Sequence, residues 1–213
     1  MSRYRLSTIH SDNRKVIDMP RKRSSTKDRI IKAAWTLFYK KGYDDTTIAD
    51  IIALSKTSKG TFYHYFKGKE ALLNTISDLF DSKYEELLSH LNSCFTAYQT
   101  LLYLNRKLFE MIESSIDVKL IASLYSSQLI TKDSQSLLDQ ERVYFVCLSD
   151  IIGKGIESGE FYSGSSTEEL VKIYAMYERA IIYDWALCKG KYSLSEYSAR
   201  LLPHVLDTFV SGI

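Results

Sequence analysis

Between residues 25 and 69 the apolar positions recur at helical spacing. Ile30, Ile31, Ala34, Leu37 and Phe38 fall three and four apart, which puts them on one face of a helix. Ser25 or Thr26 can cap its start. Asp28 then lies in the first turn, where negative charge suits the helix dipole, and Lys40, Lys41 and Gly42 supply a normal stop. A second helix is expected from Thr46 or Thr47 to about Ser55, with Ile48, Ile51, Ile52 and Leu54 on its buried side. After a turn at Ser55, Lys56 and Thr57, Ser58 caps a short third helix carrying Phe62, Tyr63, Tyr65 and Phe66. Three short helices with a turn between the second and third make a helix-turn-helix unit.

The helical period continues to the end of the chain. Leu72, Leu73, Ile76, Leu79, Phe80, Leu87, Leu88 and Leu91 predict one long helix from Lys69 to about Ser93. Further helices are expected over residues 98–113, 118–129, 134–158, 166–189 and from about 194 onwards. Residues 170–186 are apolar on almost every face, and a helix without a polar face must be buried all round. Packing within the chain covers one side, and a second copy covering the other is the economical explanation. Pro203 interrupts the last helix, where it removes a hydrogen bond and favours a kink. The 9 Gly and 2 Pro leave few breakers. The expected fold is all-α, with about nine helices: a three-helix domain over residues 25–69 and a larger helical domain over residues 70–213. Residues 1–24 lack periodicity and read as a basic, disordered extension. Met19 would also make a sensible start to the chain.

Charge sharpens this division. Up to residue 70 there are 16 Lys and Arg against 7 Asp and Glu, a charge of +9; the remainder has 12 against 19, a charge of −7. A basic amino-terminal third on an acidic body marks where a polyanion binds, although a merely solvated basic face would carry the same charge. No apolar run is long enough to span a bilayer, and the amino terminus has no apolar leader segment. Cys94, Cys147 and Cys188 are far apart and read as reduced, mostly buried thiols of a cytoplasmic protein. No GxSxG, HExxH, P-loop or GxGxxG motif is present, and no His/Cys cluster suggests a metal. Neither an enzyme, a cofactor nor a metal site is expected.

Phe62 and Phe66 are four apart and read as core. Tyr63, His64 and Tyr65 place polar-tipped rings between them, and a domain this small cannot bury all three. Lys59, Gly60 and Thr61 occupy the first turn, the part of a recognition helix that enters the major groove. Lys59 can donate to guanine, Thr61 can touch a thymine methyl, and Gly60 lets the backbone come close. Thr26 and Thr47 lie at helix starts, where free N–H groups bind phosphate, and Lys69 opens the next helix.

At these residues the chain resembles the tetracycline-repressor (TetR) family of bacterial transcription regulators. The resemblance runs from Thr26 through Gly42-Tyr43, Thr46-Thr47, Asp50-Ile51 and the stretch SKGTFYHYF to Lys69-Glu70-Ala71-Leu72-Leu73. It departs in the turn, where the family has small residues and this chain has Ser55, Lys56 and Thr57, so that Lys56 falls where a positive φ is often needed. The resemblance implies DNA contacts from Thr26, Thr47, Ser58, Lys59, Gly60, Thr61, Tyr63, His64, Tyr65 and Lys69. It further implies a homodimer formed through the last two helices, a palindromic operator, and release by a small, largely apolar or aromatic effector. Pockets in helical bundles take such ligands with a few polar anchors. The candidates are Tyr125, Tyr144, Cys147, Tyr174, Tyr177 and Glu178, with Trp185 as a wall. An architectural DNA-binding protein on the same fold, without an effector, is the alternative.

Overall fold

The computed structural model describes residues 25–130, 136–162 and 164–211, together with the backbone of β1 (Arg5–Leu6) and β2 (Ile17–Asp18). These two dipeptides pair antiparallel, Arg5 opposite Asp18. The rest of the basic extension, Met19 and the expected helix start at Ser134 lie outside the described residues.

The chain folds as the expected all-α architecture. Among the described residues the helices are α1 (Thr26–Lys41), α2 (Ile48–Ser55), α3 (Lys59–Tyr65), α4 (Glu70–Leu73), α5 (Thr75–Ser89), α6 (Ala97–Ser115), α7 (Val118–Ile130), α8 (Val143–Glu157), α9 (Thr167–Leu187) and α10 (Leu194–Ser211). A short 3-10 turn, Ser136–Leu138, precedes α8. Two compact units result: residues 1–82 with 119–137, and residues 83–118 with 138–213. The first unit thus takes in α4, the start of α5 and most of α7 besides residues 25–69.

In the first unit, Ser25 rather than Thr26 caps α1. Its hydroxyl accepts from the Asp28 N–H, and the Asp28 carboxylate accepts from the Ser25 N–H, both at 3.1 Å. Gly42 ends the helix at φ 89°, its N–H returning to the Phe38 carbonyl. Ile30, Ile31, Ala34 and Phe38 are buried as the period requires. Ala33 and Trp35 are buried too, and the Trp35 indole donates to Thr75 Oγ1 at 2.9 Å. In α2 the buried side is turned from that expected: Ile51 and Ser55 are buried, Ile48 and Ile52 half-buried, and Leu54 is exposed. At about 100° per residue, Ser55 lies about 40° from Ile51 on one side and Leu54 about 60° on the other, so contact with α1 covers the serine side. Lys56 has φ 53° and ψ 47°, the left-handed conformation that its place in the turn requires.

The single long helix expected after Lys69 is interrupted at Asn74. The Asn74 side-chain oxygen accepts from Gln128 Nε2 (3.1 Å) and Ser136 Oγ (3.0 Å), and the Thr75 hydroxyl bonds back to the Leu72 carbonyl at 2.6 Å. These bonds tie the α4–α5 junction to α7 and the 3-10 turn within the first unit. The helix expected over residues 134–158 is shorter than its apolar pattern, because residues 139–142 form a turn in which Asp139 accepts from the Glu141 N–H.

The second unit is a bundle. α6 packs along α10, while α8 and α10 both pack on α9. Leu101, Leu108, Phe109, Leu148, Ile152, Leu170, Ile182, Leu206 and Phe209 fill it. α9 is not covered all round by its own chain: Met176 (47%), Tyr183 (46%) and Leu187 (61%) are exposed on the side away from buried Tyr174, Glu178 and Trp185. Pro203 lies inside α10, which continues through it. The cysteines are less buried than expected, Cys94 being exposed in the α5–α6 connection and Cys147 and Cys188 half-buried.

Candidate nucleic-acid interface and effector core

The third helix owes its position to two rings. Phe62 is fully buried and Phe66 nearly so, with ring centroids 5.9 Å apart. Ser58 caps the helix, its hydroxyl accepting from the Thr61 N–H at 3.0 Å and lying 2.8 Å from the Thr61 hydroxyl. With Phe62 pointing inward, helical geometry puts Gly60 and His64 on the opposite face, Tyr63 and Thr61 beside them, and Lys59 and Tyr65 nearer the body. Lys59, Gly60, Tyr63, His64 and Tyr65 are exposed and Thr61 half-buried. The His64 and Tyr65 rings meet edge to face at 4.9 Å. Every sequence candidate on α3 therefore reaches the surface on one connected face. Residues 25–69 carry 9 Lys and Arg against 4 Asp and Glu, so this face belongs to a basic module.

The remaining candidates behave differently. Thr26 is half-buried in the first turn of α1, one residue past the cap. Thr47 caps α2, but its hydroxyl donates to Asp50 Oδ2 at 2.6 Å, and the same oxygen accepts from the Thr47 N–H and from Lys41 Nζ. That lysine, then Thr47, holds the Asp50 carboxyl well below the ordinary carboxylate range. A carboxylate thus already occupies the place at the start of α2 where a phosphate was expected. Lys69 Nζ donates to the Tyr43 carbonyl at 2.7 Å and the Asp44 carbonyl at 3.3 Å, and sits 4.2 Å from the centre of the Tyr43 ring.

In the second unit the structure gathers Tyr144, Tyr174, Tyr177 and Glu178 into one polar network. Glu178 is 3% exposed. It accepts from Asn105 Nδ2 (2.8 Å), the Tyr144 hydroxyl (2.9 Å) and, at a longer 3.4 Å, the Tyr84 hydroxyl. Asn105 in turn accepts from the Ser198 hydroxyl at 2.7 Å, and the Tyr177 hydroxyl lies 3.0 Å from that same serine oxygen. Tyr174 donates to the Leu101 carbonyl. Burial pushes the Glu178 carboxyl above its ordinary pKa, against the pull of its hydrogen bonds. It also pushes up Tyr84, Tyr144 and Tyr174, so these phenols stay neutral donors. Tyr177 is pushed up to about 12, mainly by burial.

Three candidates stand apart. Tyr125 is half-buried on α7, in the first unit. Cys147 is half-buried on α8. Trp185 donates its indole N–H to the Tyr192 carbonyl at 3.0 Å and closes the α9–α10 turn. Sequence reasoning missed Tyr84, Asn105 and Ser198; the signal for Asn105 was an amide on the apolar face formed by Leu101, Leu104 and Leu108. A groove of about 730 Å³ lies elsewhere in this unit, floored by Leu88, Leu91, Phe95 and Ile151 and edged by the Asp150–Lys154 pair. None of the sequence candidates lines it. Among the described residues no His, Cys, Asp and Glu group could hold a metal, and no helix is long and apolar enough to cross a membrane.

Comparison with known proteins bears on both units. Residues 30–76 match the model of bacterial regulatory proteins of the tetR family. The HTH-type transcriptional regulator QacR of Staphylococcus aureus is 45% identical over 60 residues, which are 28% of this chain and 32% of QacR, so the match spans about a third of that relative. The fatty acid metabolism regulator protein of Bacillus subtilis is 24% identical over 186 residues, 87% of this chain and 94% of the relative. Among solved structures, Thermus thermophilus FadR in complex with lauroyl-CoA superposes with a TM-score of 0.65 at 23% identity, covering 84% of this chain and 93% of that one. That likeness is one of fold. The helix-turn-helix and its flanking helices carry the family's own sequence pattern, and the chain belongs to the TetR family of bacterial transcription regulators.

Proposed function

We propose that this chain is a homodimeric repressor that binds a palindromic operator through residues 25–69 and leaves it when a small molecule occupies the helical domain over residues 70–213. The observation that carries the reading is the face of α3. Phe62 and Phe66 are spent on the core, and Lys59, Gly60, Tyr63 and His64 are turned outward together. Lys59 and Thr61 read bases, Tyr63 and Tyr65 hold phosphates, and His64 does either. Ser58 frames the first turn, and Thr26 and Thr47 lie close to the backbone path. The apolar stripe Met176, Tyr183 and Leu187 supports pairing of two copies through α9 and α10. Two copies would set their recognition helices about 34 Å apart, one turn of DNA.

For the effector, two features favour a long apolar molecule with a polar head. One is the groove floored by Leu88, Leu91, Phe95 and Ile151; the other is the polar core at Glu178, Tyr144 and Tyr174. Related proteins have been crystallised with lauroyl-CoA and stearoyl-CoA, which makes acyl-CoA thioesters the first compounds to test. Binding acts by shifting the population between DNA-competent and incompetent forms. Such a regulator works in the cytoplasm, where the DNA is. Selection on random duplexes is the test. Recovery of a palindrome whose binding weakens with lauroyl-CoA supports the whole reading, and recovery of no preferred sequence at low salt overturns it.

A further inference from the structure

The ammonium of Lys69 is engaged where a DNA contact should be free. Two of its three protons point at the Tyr43 and Asp44 carbonyls, at 2.7 and 3.3 Å, and its charge lies 4.2 Å from the centre of the Tyr43 ring. The other side of that ring meets Phe38 of α1 edge to face at 5.1 Å. The Tyr43 carbonyl also accepts from the Thr46 N–H at 3.2 Å, and the Thr46 hydroxyl returns to the Gly42 carbonyl at 2.7 Å. Thr46 is 1% exposed, and the next residue caps α2. Glu70 and Asp44 bring negative charge to the same place, as their effect on the Tyr43 hydroxyl attests. That charge suits a cation held inside the fold and opposes an approaching phosphate.

We propose that Lys69 is a positioning residue for DNA recognition and not a phosphate contact. It clamps the α1–α2 loop to the start of α4, and so fixes where α2 begins and how α3 is presented. The proposal rests on the DNA-binding reading above. A lysine reaching for phosphate would have to leave two carbonyls and a ring; a lysine acting as a clamp needs no DNA contact at all.

The two roles differ in salt dependence. Removing a cation that touches phosphate lowers the slope of log affinity against log salt by about one. Removing a clamp weakens binding at every salt concentration and leaves the slope alone. The full chain carrying Lys69→Met should therefore bind the selected duplex about tenfold more weakly or worse, the scale of one lost charge-assisted hydrogen bond. Its salt slope should match that of the wild type, at a temperature where circular dichroism shows it fully folded. In the DNA-free protein, the Thr46 amide should exchange hydrogen faster. A slope reduced by about one, with unchanged Thr46 exchange, overturns the clamp in favour of a phosphate contact. Unchanged affinity in the folded variant overturns the positioning role as well. Should Lys69→Met not fold, Lys69→Gln, which keeps one donor for the Tyr43 carbonyl, must show the same pattern in milder form. A wild-type chain that selects no duplex refutes the DNA-binding reading instead, and the exchange comparison then decides the clamp directly.

Discussion

Replacing Glu178 by glutamine should make the second unit relatively more stable as pH rises. Glu178 is 3% exposed and accepts from Asn105, Tyr144 and Tyr84, all neutral donors. None of the ion pairs among the described residues includes it. Burial is the largest influence on its carboxyl and raises its pKa above the ordinary value of 4.5. An acid raised in this way binds its proton more tightly in the folded chain than in the unfolded one. Its contribution to stability is complete below the unfolded pKa and is lost as pH rises towards the folded pKa, at about 1.4 kcal/mol per pH unit within that window. Glutamine has nearly the same shape and does not titrate. A protonated carboxyl already presents one donor and one acceptor, so at pH 4.5 the variant should lie within about 1 kcal/mol of the wild type, the worth of one neutral hydrogen bond. Above that pH the wild type loses stability and the variant does not, so the difference moves in favour of Glu178→Gln. Urea unfolding followed by circular dichroism from pH 4.5 to 8 measures it. A difference that is flat with pH, or that moves towards the wild type, would refute the raised pKa and with it the picture of an acid kept uncharged by its surroundings.

Other expectations concern the first unit and the surface of α9. Lys56 holds a left-handed conformation with a side chain, so Lys56→Gly should raise stability by up to about 1 kcal/mol, read as a higher melting temperature. Lys59→Ala should relax discrimination at one or two operator base pairs by about 1–3 kcal/mol, measured by competition with single-base variants; an unchanged profile removes Lys59 from the base-reading set. Tyr183→Glu puts a charge in the middle of the exposed stripe and should shift sedimentation towards monomer without altering the helical spectrum. Phe62→Ala, at a fully buried position, should cost about 3–5 kcal/mol and abolish DNA binding through loss of the helix's anchor.

What could be read from the sequence was what short-range physics decides. The helix-turn-helix was legible because Ser25, Thr47 and Ser58 cap their helices through bonds three residues long, and because Phe62 and Phe66 repeat at one helical turn. The positive φ at Lys56 was legible from its place in a tight turn. The misses were decided at long range. The break at Asn74 depends on Gln128 and Ser136, 54 and 62 residues further along the chain. Lys69 looked like a free cation at a helix start, and only folding brings Tyr43 beneath it, 26 residues back. Leu54 and Ile52 have equal hydropathic claim to the core of α2, and the position of α1 chooses between them. In the second unit, Glu178 stood out as an acid in an apolar run, but its partners Tyr84, Asn105, Tyr144 and Ser198 come from four other helices.

The composition of α3 explains why its recognition face is free to read DNA. It has seven residues, Lys-Gly-Thr-Phe-Tyr-His-Tyr, and most of them are weak helix formers. A segment so short and so composed does not hold a helix alone in water. Its shape is imposed from outside, by the Ser58 cap at one end and by Phe62 and Phe66 on the side facing α1 and α2. Lys59, Gly60, Tyr63 and His64 then contribute little to keeping the helix in place. Side chains relieved of structural duty can be chosen for the bases and phosphates they meet, at little cost in stability. The same logic separates Lys69 from Lys59. Both are lysines of one basic module, yet the half-buried one is committed to the loop that orients α2 and the exposed one is available to the groove.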